Sequence, residues 1–306
     1  KMYSDLGRIK KIYENNNLIK PIIAVAGCVA QAEGKEITKR SPWVDLVVGP
    51  QAYTDLPKLL KKINEDSKKT EINLKFPEIP KFDLLNFDKK MGKVSDFVTI
   101  QEGCDKFCSF CVVPFTRGPE YSRSRKSILD EIKIMAQNGV KEIILLGQNV
   151  NAWRDNTNES KAYTLGHLIE DIAKIDEILS IRYTTSHPLD MDLELIKAHK
   201  NVDKLMPYLH LPIQSGSDKI LKKMNRRHTA SEYLKIIELV RKYCEDIAIS
   251  SDFIVGHPGE TNEDHKKTLD IINEVQFASS YSFMYSERPG TKSSEFGEIV
   301  DENIKK

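Results

Sequence analysis

The sequence predicts a parallel α/β protein, because apolar strand segments alternate with amphipathic helices and each strand ends in a polar cluster. Six strands are expected from Val94 onward, at 97–101, 143–147, 180–185, 207–213, 248–255 and 278–285. Strands joined by helical crossovers form a parallel sheet with right-handed connections. Six units fall short of the eight of a closed barrel, so an open, partial barrel and a doubly wound sheet are the two alternatives. In both, the polar strand ends share one rim, where a functional site is expected.

The helices between these strands carry apolar residues at helical spacing. They are predicted at 127–137, 165–175, 192–199, 218–224, 230–243 and 262–274. Ser127 and Asp130 are expected to cap the first helix, and Gly139 to end it. Thr229 and Glu232 have the spacing of a capping box.

A smaller α/β unit is predicted before this array. It has two helical segments, at 5–15 and 54–63. It also has two short apolar runs of the buried parallel-strand type, at 21–26 and 44–49. Residues 76–93 are rich in Lys and Pro and lack periodicity. We therefore predict two domains, at 1–75 and 94–306, joined by this linker.

Composition indicates an ordinary soluble protein, with 40% apolar and 30% charged residues among 306. The sequence has no apolar run long enough to span a bilayer and no secretory signal, so a cytoplasmic location is expected. A formal net charge of +1 gives no overall basic field for nucleic acid. Five arginines could bind RNA phosphates or form ion pairs: Arg117, Arg123, Arg125, Arg226 and Arg227.

Three of the five cysteines lie within eight residues, as Cys104-x-x-x-Cys108-x-x-Cys111 directly after the first strand of the array. Such a loop can place three thiolates around one cubane and leave one iron open to a ligand. A zinc site is the alternative and needs a fourth ligand. Residues 94–130 contain no other Cys or His, although His187 or His210 could supply one. The position of the loop favours a catalytic iron–sulfur centre.

This motif resembles that of the radical S-adenosylmethionine superfamily, in which the residue before the third cysteine is aromatic, as Phe110 is here. The resemblance implies a partial (β/α)6 barrel. It also implies a [4Fe-4S] cluster on Cys104, Cys108 and Cys111, whose fourth iron binds S-adenosylmethionine, and reductive cleavage of that cofactor to a 5′-deoxyadenosyl radical. It further implies that the cofactor is lined by Phe110 and five strand-end residues: Gln148, Ser186, Gln214, Val255 and Ser286.

Longer stretches are similar to the methylthiotransferase family: 101–104, 111–118, 146–151, 209–218, 252–260 and 286–291. Within it, 147–151 and 184–188 resemble the branch that modifies tRNA. That branch adds a methylthio group to carbon 2 of N(6)-dimethylallyl adenosine next to the anticodon. Branches that act on threonylcarbamoyl-adenosine or on a ribosomal protein are the first alternative. A non-catalytic iron–sulfur or zinc RNA-binding protein is the second.

The same resemblance concerns the ends of the chain. The family's N-terminal domain binds a second [4Fe-4S] cluster with three cysteines, of which only Cys28 is expected here. Residues 1–75 would be the C-terminal part of that domain, and the family's RNA-binding β-domain would be absent. One of the two clusters is then complete in this chain. The implied partners are tRNA and a flavodoxin-like or ferredoxin-like electron donor, with a monomeric enzyme. Cys244 is expected to be an inert thiol.

Overall fold

The computed structural model describes residues 1–65, 70–76, 92–155 and 163–306. These residues form two compact units. The first comprises 1–65, 70–76 and 115–118, and the second comprises the remaining described residues. The predicted linker at 76–93 lies almost wholly outside the described residues, so its boundaries stay a prediction. No helix among the described residues combines the length and apolar character of a transmembrane span.

The first unit contains a three-stranded parallel sheet in the order β1-β2-β3, with strands β1 (Ala24–Ala26), β2 (Leu46–Val48) and β3 (Glu71–Asn73). Its helices are α1 (Met2–Asn15), α2 (Cys28–Glu33), α3 (Lys35–Arg40) and α4 (Leu56–Glu65). The central strand β2 is buried along its whole length. Strand β3 was not predicted, because Ile72 is the only strongly apolar residue in it and lysines precede it.

The second unit contains six parallel strands: β4 (Ser95–Thr99), β7 (Glu142–Leu146), β10 (Ser180–Tyr183), β11 (Tyr208–His210), β12 (Ala248–Val255) and β13 (Ser279–Met284). Two short antiparallel pairs are β5 (Gln101–Glu102) with β6 (Tyr121–Ser122), and β8 (Arg154–Asp155) with β9 (Tyr163–Thr164). Helix α5 (Val113–Arg117) begins in the second unit, and its residues 115–117 are assigned to the first. The other helices of the second unit are α6 (Arg125–Gln137), α7 (Leu165–Ala173), α8 (Leu193–Asn201), α9 (Asp218–Lys223), α10 (Ala230–Tyr243), α11 (Asn262–Val275) and α12 (Glu302–Lys305).

Strand order decides between the two predicted architectures. The parallel sheets run β4-β7-β10 and β11-β12-β13. Between them, Ile181 of β10 forms a parallel bridge with Leu205, and its carbonyl accepts the N–H of Met206 at 3.0 Å. The spatial order of the strands therefore equals their order along the chain. In a doubly wound sheet, by contrast, the strand order reverses midway across the sheet. The prediction of a partial barrel is confirmed.

The core lies between the strands and the helices that follow them. Alternate strand residues such as Val98, Ile143, Leu145 and Ile181 are completely buried in one large apolar cluster. The residues between them, such as Ile144 in β7, point to the other face of the sheet and stay partly exposed. This alternation leaves one face of the partial barrel accessible.

One helix start differs from the prediction. Helix α6 begins at Arg125, and the cap is Ser124, whose hydroxyl accepts the N–H of Ser127 at 3.3 Å. The predicted cap at Ser127 was wrong because Ser124 already has the extended backbone that a capping residue adopts. The predicted capping box of Thr229 and Glu232 is confirmed at the start of α10.

We predict that Gly166→Ala lowers the free energy of unfolding by about 1–3 kcal/mol, the usual effect of overpacking. An added Cβ at Gly166 would lie 2.5 Å from the backbone carbonyl carbon of Glu194, where α7 and α8 touch. Urea unfolding measures the effect. Gly297→Ala is the matched control, since an added Cβ there has no atom within 4 Å. Equal stability of the two variants would contradict this account of the helix contact.

Candidate cofactor site

The cysteine loop follows the short strand β5 and precedes helix α5. Cys104, Cys108 and Cys111 are free thiols and each is partly buried. The N–H of Cys111 donates to the carbonyl of Cys108 at 3.0 Å and closes a turn between them. Phe107 has φ of +50°, so the loop bends sharply before its second cysteine.

Burial in this loop destabilises the thiolate form of the cysteines when no positive charge is nearby. It raises the pKa of Cys104 to about 11, and the charges of Cys108 and Cys111 add to the rise. Burial also raises the pKa of Cys111. A cationic metal centre removes this cost, because metals bind the thiolate form. In its chemistry, the donor set therefore fits a thiolate-bound cluster. Across the described ranges, no three or more His, Cys, Asp or Glu side chains are grouped so as to hold a metal ion.

The start of the loop is held by two glutamines. The buried carboxamide of Gln101 accepts the N–H groups of Gln148 and Asn149 at 2.9 and 3.0 Å, and donates to the carbonyl of Gly103 at 2.8 Å. The Oε1 atom of Gln148 accepts the N–H of Gly103 at 2.8 Å. The loop is thus tied to the end of the neighbouring strand β7 by reciprocal hydrogen bonds.

Two further segments hold the middle of the loop. The N–H of Ser109 donates to the carbonyl of Met224 at 2.9 Å. Its carbonyl accepts both the N–H and the hydroxyl of Ser293, each at 2.9 Å. The hydroxyl of Tyr285 in turn donates to that of Ser293 at 3.1 Å. The loop therefore contacts the end of β7, the segment after α9 and the segment after β13.

The predicted cofactor-lining residues lie at strand ends but differ in what their side chains do. Gln148 is occupied with Gly103 and so positions the loop. Ser186 is buried, and its hydroxyl has no hydrogen-bond partner in the described part of the chain. Gln214 is partly buried, with φ of +79°. Phe110 and Val255 are partly buried as well, and Ser286 is exposed.

The two histidines considered as zinc ligands both have hydrogen-bond partners. Nδ1 of His187 accepts the N–H of Leu189 at 3.2 Å, and the His187 backbone exchanges two hydrogen bonds with the Asn151 side chain. Burial, with the nearby charge of Arg226, holds the pKa of His187 far below its usual value. Nδ1 of His210 lies 2.8 Å from the hydroxyl of Ser250.

Of the arginines considered for RNA phosphates, two are inside the protein. Arg123 is 2% exposed and pairs with Glu131 at 2.7 Å. Arg226 is 4% exposed, and its Nη1 lies 3.6 Å from the sulfur of Cys108. Arg125 is partly buried and pairs with Asp171. Arg227 is exposed. Of the two predicted alternatives, Arg123 forms an ion pair, and burial leaves neither Arg123 nor Arg226 on the surface for phosphate binding.

The other two cysteines lie outside the loop. Cys28 opens helix α2 after β1, and within the first unit its sulfur accepts a hydrogen bond from Nε of Arg117 at 3.2 Å. Cys244 ends α10, where its N–H donates to the carbonyl of Val240, and burial raises the pKa of its thiol.

Sequence patterns missed Gln101 and Arg226 as site residues. A polar side chain at Gln101, next to the buried apolar residues Val98 and Ile100, was the available signal for the first. Arg226 carries no local signal, because its contact with Cys108 joins residues 118 positions apart.

A family model described as the Radical SAM superfamily matches residues 98–272. The match includes the cysteine loop, the end of β4 and the next four barrel strands, so fold and site define a radical SAM protein. The chain is also 55% identical over 307 residues to the tRNA-2-methylthio-N(6)-dimethylallyladenosine synthase of Ehrlichia canis (strain Jake), covering 100% of this chain and 68% of that protein. For the protein of the same name from Bartonella bacilliformis (strain ATCC 35685 / KC583 / Herrer 020/F12,63), identity is 53% over 310 residues, covering 100% and 67%. The chain belongs to the family of tRNA-2-methylthio-N(6)-dimethylallyladenosine synthases.

Solved structures agree with the fold. The radical S-adenosylmethionine methyltransferase TsrM from Kitasatospora setae matches 91% of this chain and 58% of its own, with a TM-score of 0.66 and 14% identity. The cobalamin-dependent S-adenosylmethionine radical enzyme OxsB matches 89% of this chain and 41% of its own, with a TM-score of 0.61 and 17% identity. At such identities the likeness concerns the fold alone.

We predict that Gln101→Leu lowers the free energy of unfolding by at least about 2 kcal/mol. The change leaves the buried N–H of Asn149, the partly buried N–H of Gln148 and the carbonyl of Gly103 without their partner, and a buried group of this kind costs about 1–3 kcal/mol. Chemical denaturation measures the loss. Gln137→Leu, the same change at an exposed helix end, is expected to stay within about 0.5 kcal/mol of the parent protein. A neutral Gln101→Leu would mean that the carboxamide does not hold the loop.

Proposed function

We propose that this chain adds a methylthio group to carbon 2 of N(6)-dimethylallyl adenosine in tRNA by radical S-adenosylmethionine chemistry. The observation that carries the proposal is 55% identity along the whole chain to proteins named for that activity. The cysteine loop at the carboxyl end of the first barrel strand agrees with it, since sites in such folds form at strand carboxyl ends.

We assign Cys104, Cys108 and Cys111 as ligands of a [4Fe-4S] cluster. Their shared loop and their partial burial support the assignment. When bound, such a cluster supplies the electron that cleaves S-adenosylmethionine. The protein orients the loop through Gln101 and Gln148.

The rim next to the loop is the proposed S-adenosylmethionine site. Its residues are Phe110, Gln148, Ser186, Gln214, Val255 and Ser286. Ser186 fits best, because a buried hydroxyl without a partner in the described residues can bind a polar ligand group. Thr185 and Gln214 have φ of +69° and +79°, and strained non-glycine residues at strand ends are typical of binding sites.

Cys28 is the proposed ligand of a second cluster. Its position at the start of α2, directly after a strand, and the hydrogen bond from Arg117 to its sulfur support this role. We further propose tRNA as substrate, a flavodoxin-like or ferredoxin-like protein as electron donor, a monomeric state and a cytoplasmic location.

An anaerobic assay with reconstituted protein tests the function. Dithionite-reduced protein is expected to release 5′-deoxyadenosine from S-adenosylmethionine. With tRNA from a strain that lacks the modification, it is expected to form the methylthio product, which mass spectrometry detects. Full-length protein is assayed in parallel. Cofactor cleavage without a product from either form would refute the tRNA substrate, and no cleavage would refute the enzyme.

We predict that Cys108→Ala abolishes both the brown chromophore and the cleavage of S-adenosylmethionine, because two thiolates cannot hold the cubane in place of three. Iron analysis and visible absorption measure the first effect, and 5′-deoxyadenosine the second. Cys244→Ala is the control and is expected to keep both. Full iron and full cleavage in Cys108→Ala would refute the ligand assignment.

A further inference from the structure

Three consecutive residues after helix α9, Met224, Asn225 and Arg226, contact the cysteine loop. The carbonyl of Met224 accepts the N–H of Ser109 at 2.9 Å. The side-chain amide of Asn225 donates to the carbonyls of Phe107 and Lys106 at 2.8 and 3.3 Å. Asn225 has φ of +58°, a conformation that Asn tolerates better than most residues. This turn brings the next side chain, Arg226, against the loop.

Arg226 is a buried cation without a carboxylate partner in the described part of the chain. One Nη atom donates to the carbonyl of Pro212, the other lies 3.6 Å from the sulfur of Cys108, and Nε has no partner there. Arg123 is equally buried but pairs with Glu131. A buried charge is costly unless it is paired. The contrast indicates that the anion for Arg226 is the cysteine loop in its metal-bound, thiolate form.

The other titratable groups near Arg226 do not provide a positive charge for the sulfur of Cys108. His187 and His228 lie edge to face at 6.0 Å, and each has an Nε2 atom without a partner among the described atoms. Burial, with the charge of Arg226, lowers the pKa of both histidines well below neutral, so both are uncharged. Lys106, on the loop, pairs with Asp190 at 2.8 Å. Among these groups, Arg226 is the cation that lies against the sulfur of Cys108.

We propose that Arg226 is a positioning residue that donates to the sulfur of Cys108 and raises the reduction potential of the cluster, an inference that rests on the proposed cluster assignment. Reduction adds one electron to a cluster whose thiolates already make it anionic. A positive donor at a ligand sulfur stabilises the reduced state, and hydrogen bonds to sulfur are among the factors that set such potentials. Arginine suits the place because its planar group reaches two acceptors at fixed directions.

The test is a redox titration of the reconstituted 306-residue chain without S-adenosylmethionine, followed by electron paramagnetic resonance. Arg226→Gln removes the positive charge. Arg226→Lys keeps the charge but removes the planar guanidinium group with its two N–H donor directions. We expect the Gln variant to shift the ratio of reduced to oxidised cluster at least tenfold toward the oxidised form, about 59 mV for one electron. The Lys variant is expected to shift it less in the same direction. Arg227→Gln, the exposed neighbour, is the control and should match the parent chain.

The outcomes separate this inference from the proposed function. A parent chain that binds no cluster refutes the cluster assignment itself. An unchanged potential in an iron-loaded Gln variant overturns the role of Arg226 and leaves the assignment intact. If the Gln variant does not fold, the Lys variant decides: a potential equal to that of the parent overturns the proposal, because charge alone would then suffice without the donor geometry.

Discussion

The cysteine loop depends on one buried carboxamide, that of Gln101. It accepts two backbone N–H groups from the end of β7 and donates to the carbonyl of Gly103, one residue before the first cysteine. The Asn149 N–H and the Gly103 carbonyl belong to buried residues, and a buried polar group without a partner is costly. The first and second barrel strands therefore define the direction in which the loop starts before any metal binds.

The same loop links distant parts of the barrel. Its middle residue, Ser109, bonds to Met224 after α9 and to Ser293 after β13. Strand order follows chain order, so the loop, which follows the first strand, and Ser293, which follows the last, come from opposite edges of the partial barrel, whereas Met224 lies between β11 and β12. An open sheet has two edge strands with unpaired backbone groups. Here the cysteine loop, which follows the first strand, forms hydrogen bonds with the segment that follows the last strand. The proposed cluster ligands and the hydrogen bonds that link the two edges consequently lie in one segment.

Local pattern predicted what local forces determine. Apolar runs such as that of β7 are long and continuous, so the six strands and most helices were placed correctly. Strand order was not accessible from periodicity, because it depends on pairings such as that of Ile181 with Leu205. The cap of α6 was misplaced by three residues, since Ser124 and Ser127 both suit a helix start.

The cysteine loop was recognisable in the sequence, and its surroundings were less so. Three cysteines at fixed spacing mark the loop, and their role as cluster ligands stays a prediction. By contrast, Arg226 was considered only for RNA phosphates or an ion pair, because its contact with Cys108 joins residues 118 positions apart. Supporting residues of this kind are set by tertiary packing, which short motifs do not contain.

Two non-glycine residues at strand ends, Thr185 and Gln214, have left-handed backbone conformations. Glycine would adopt these conformations without steric penalty. An engineer who selects this fold only for heat resistance would be drawn to both positions, and glycine there would relieve the strain. The same change would let the rim adopt other conformations, so greater heat resistance of this scaffold would come with a less precise shape of the proposed cofactor site.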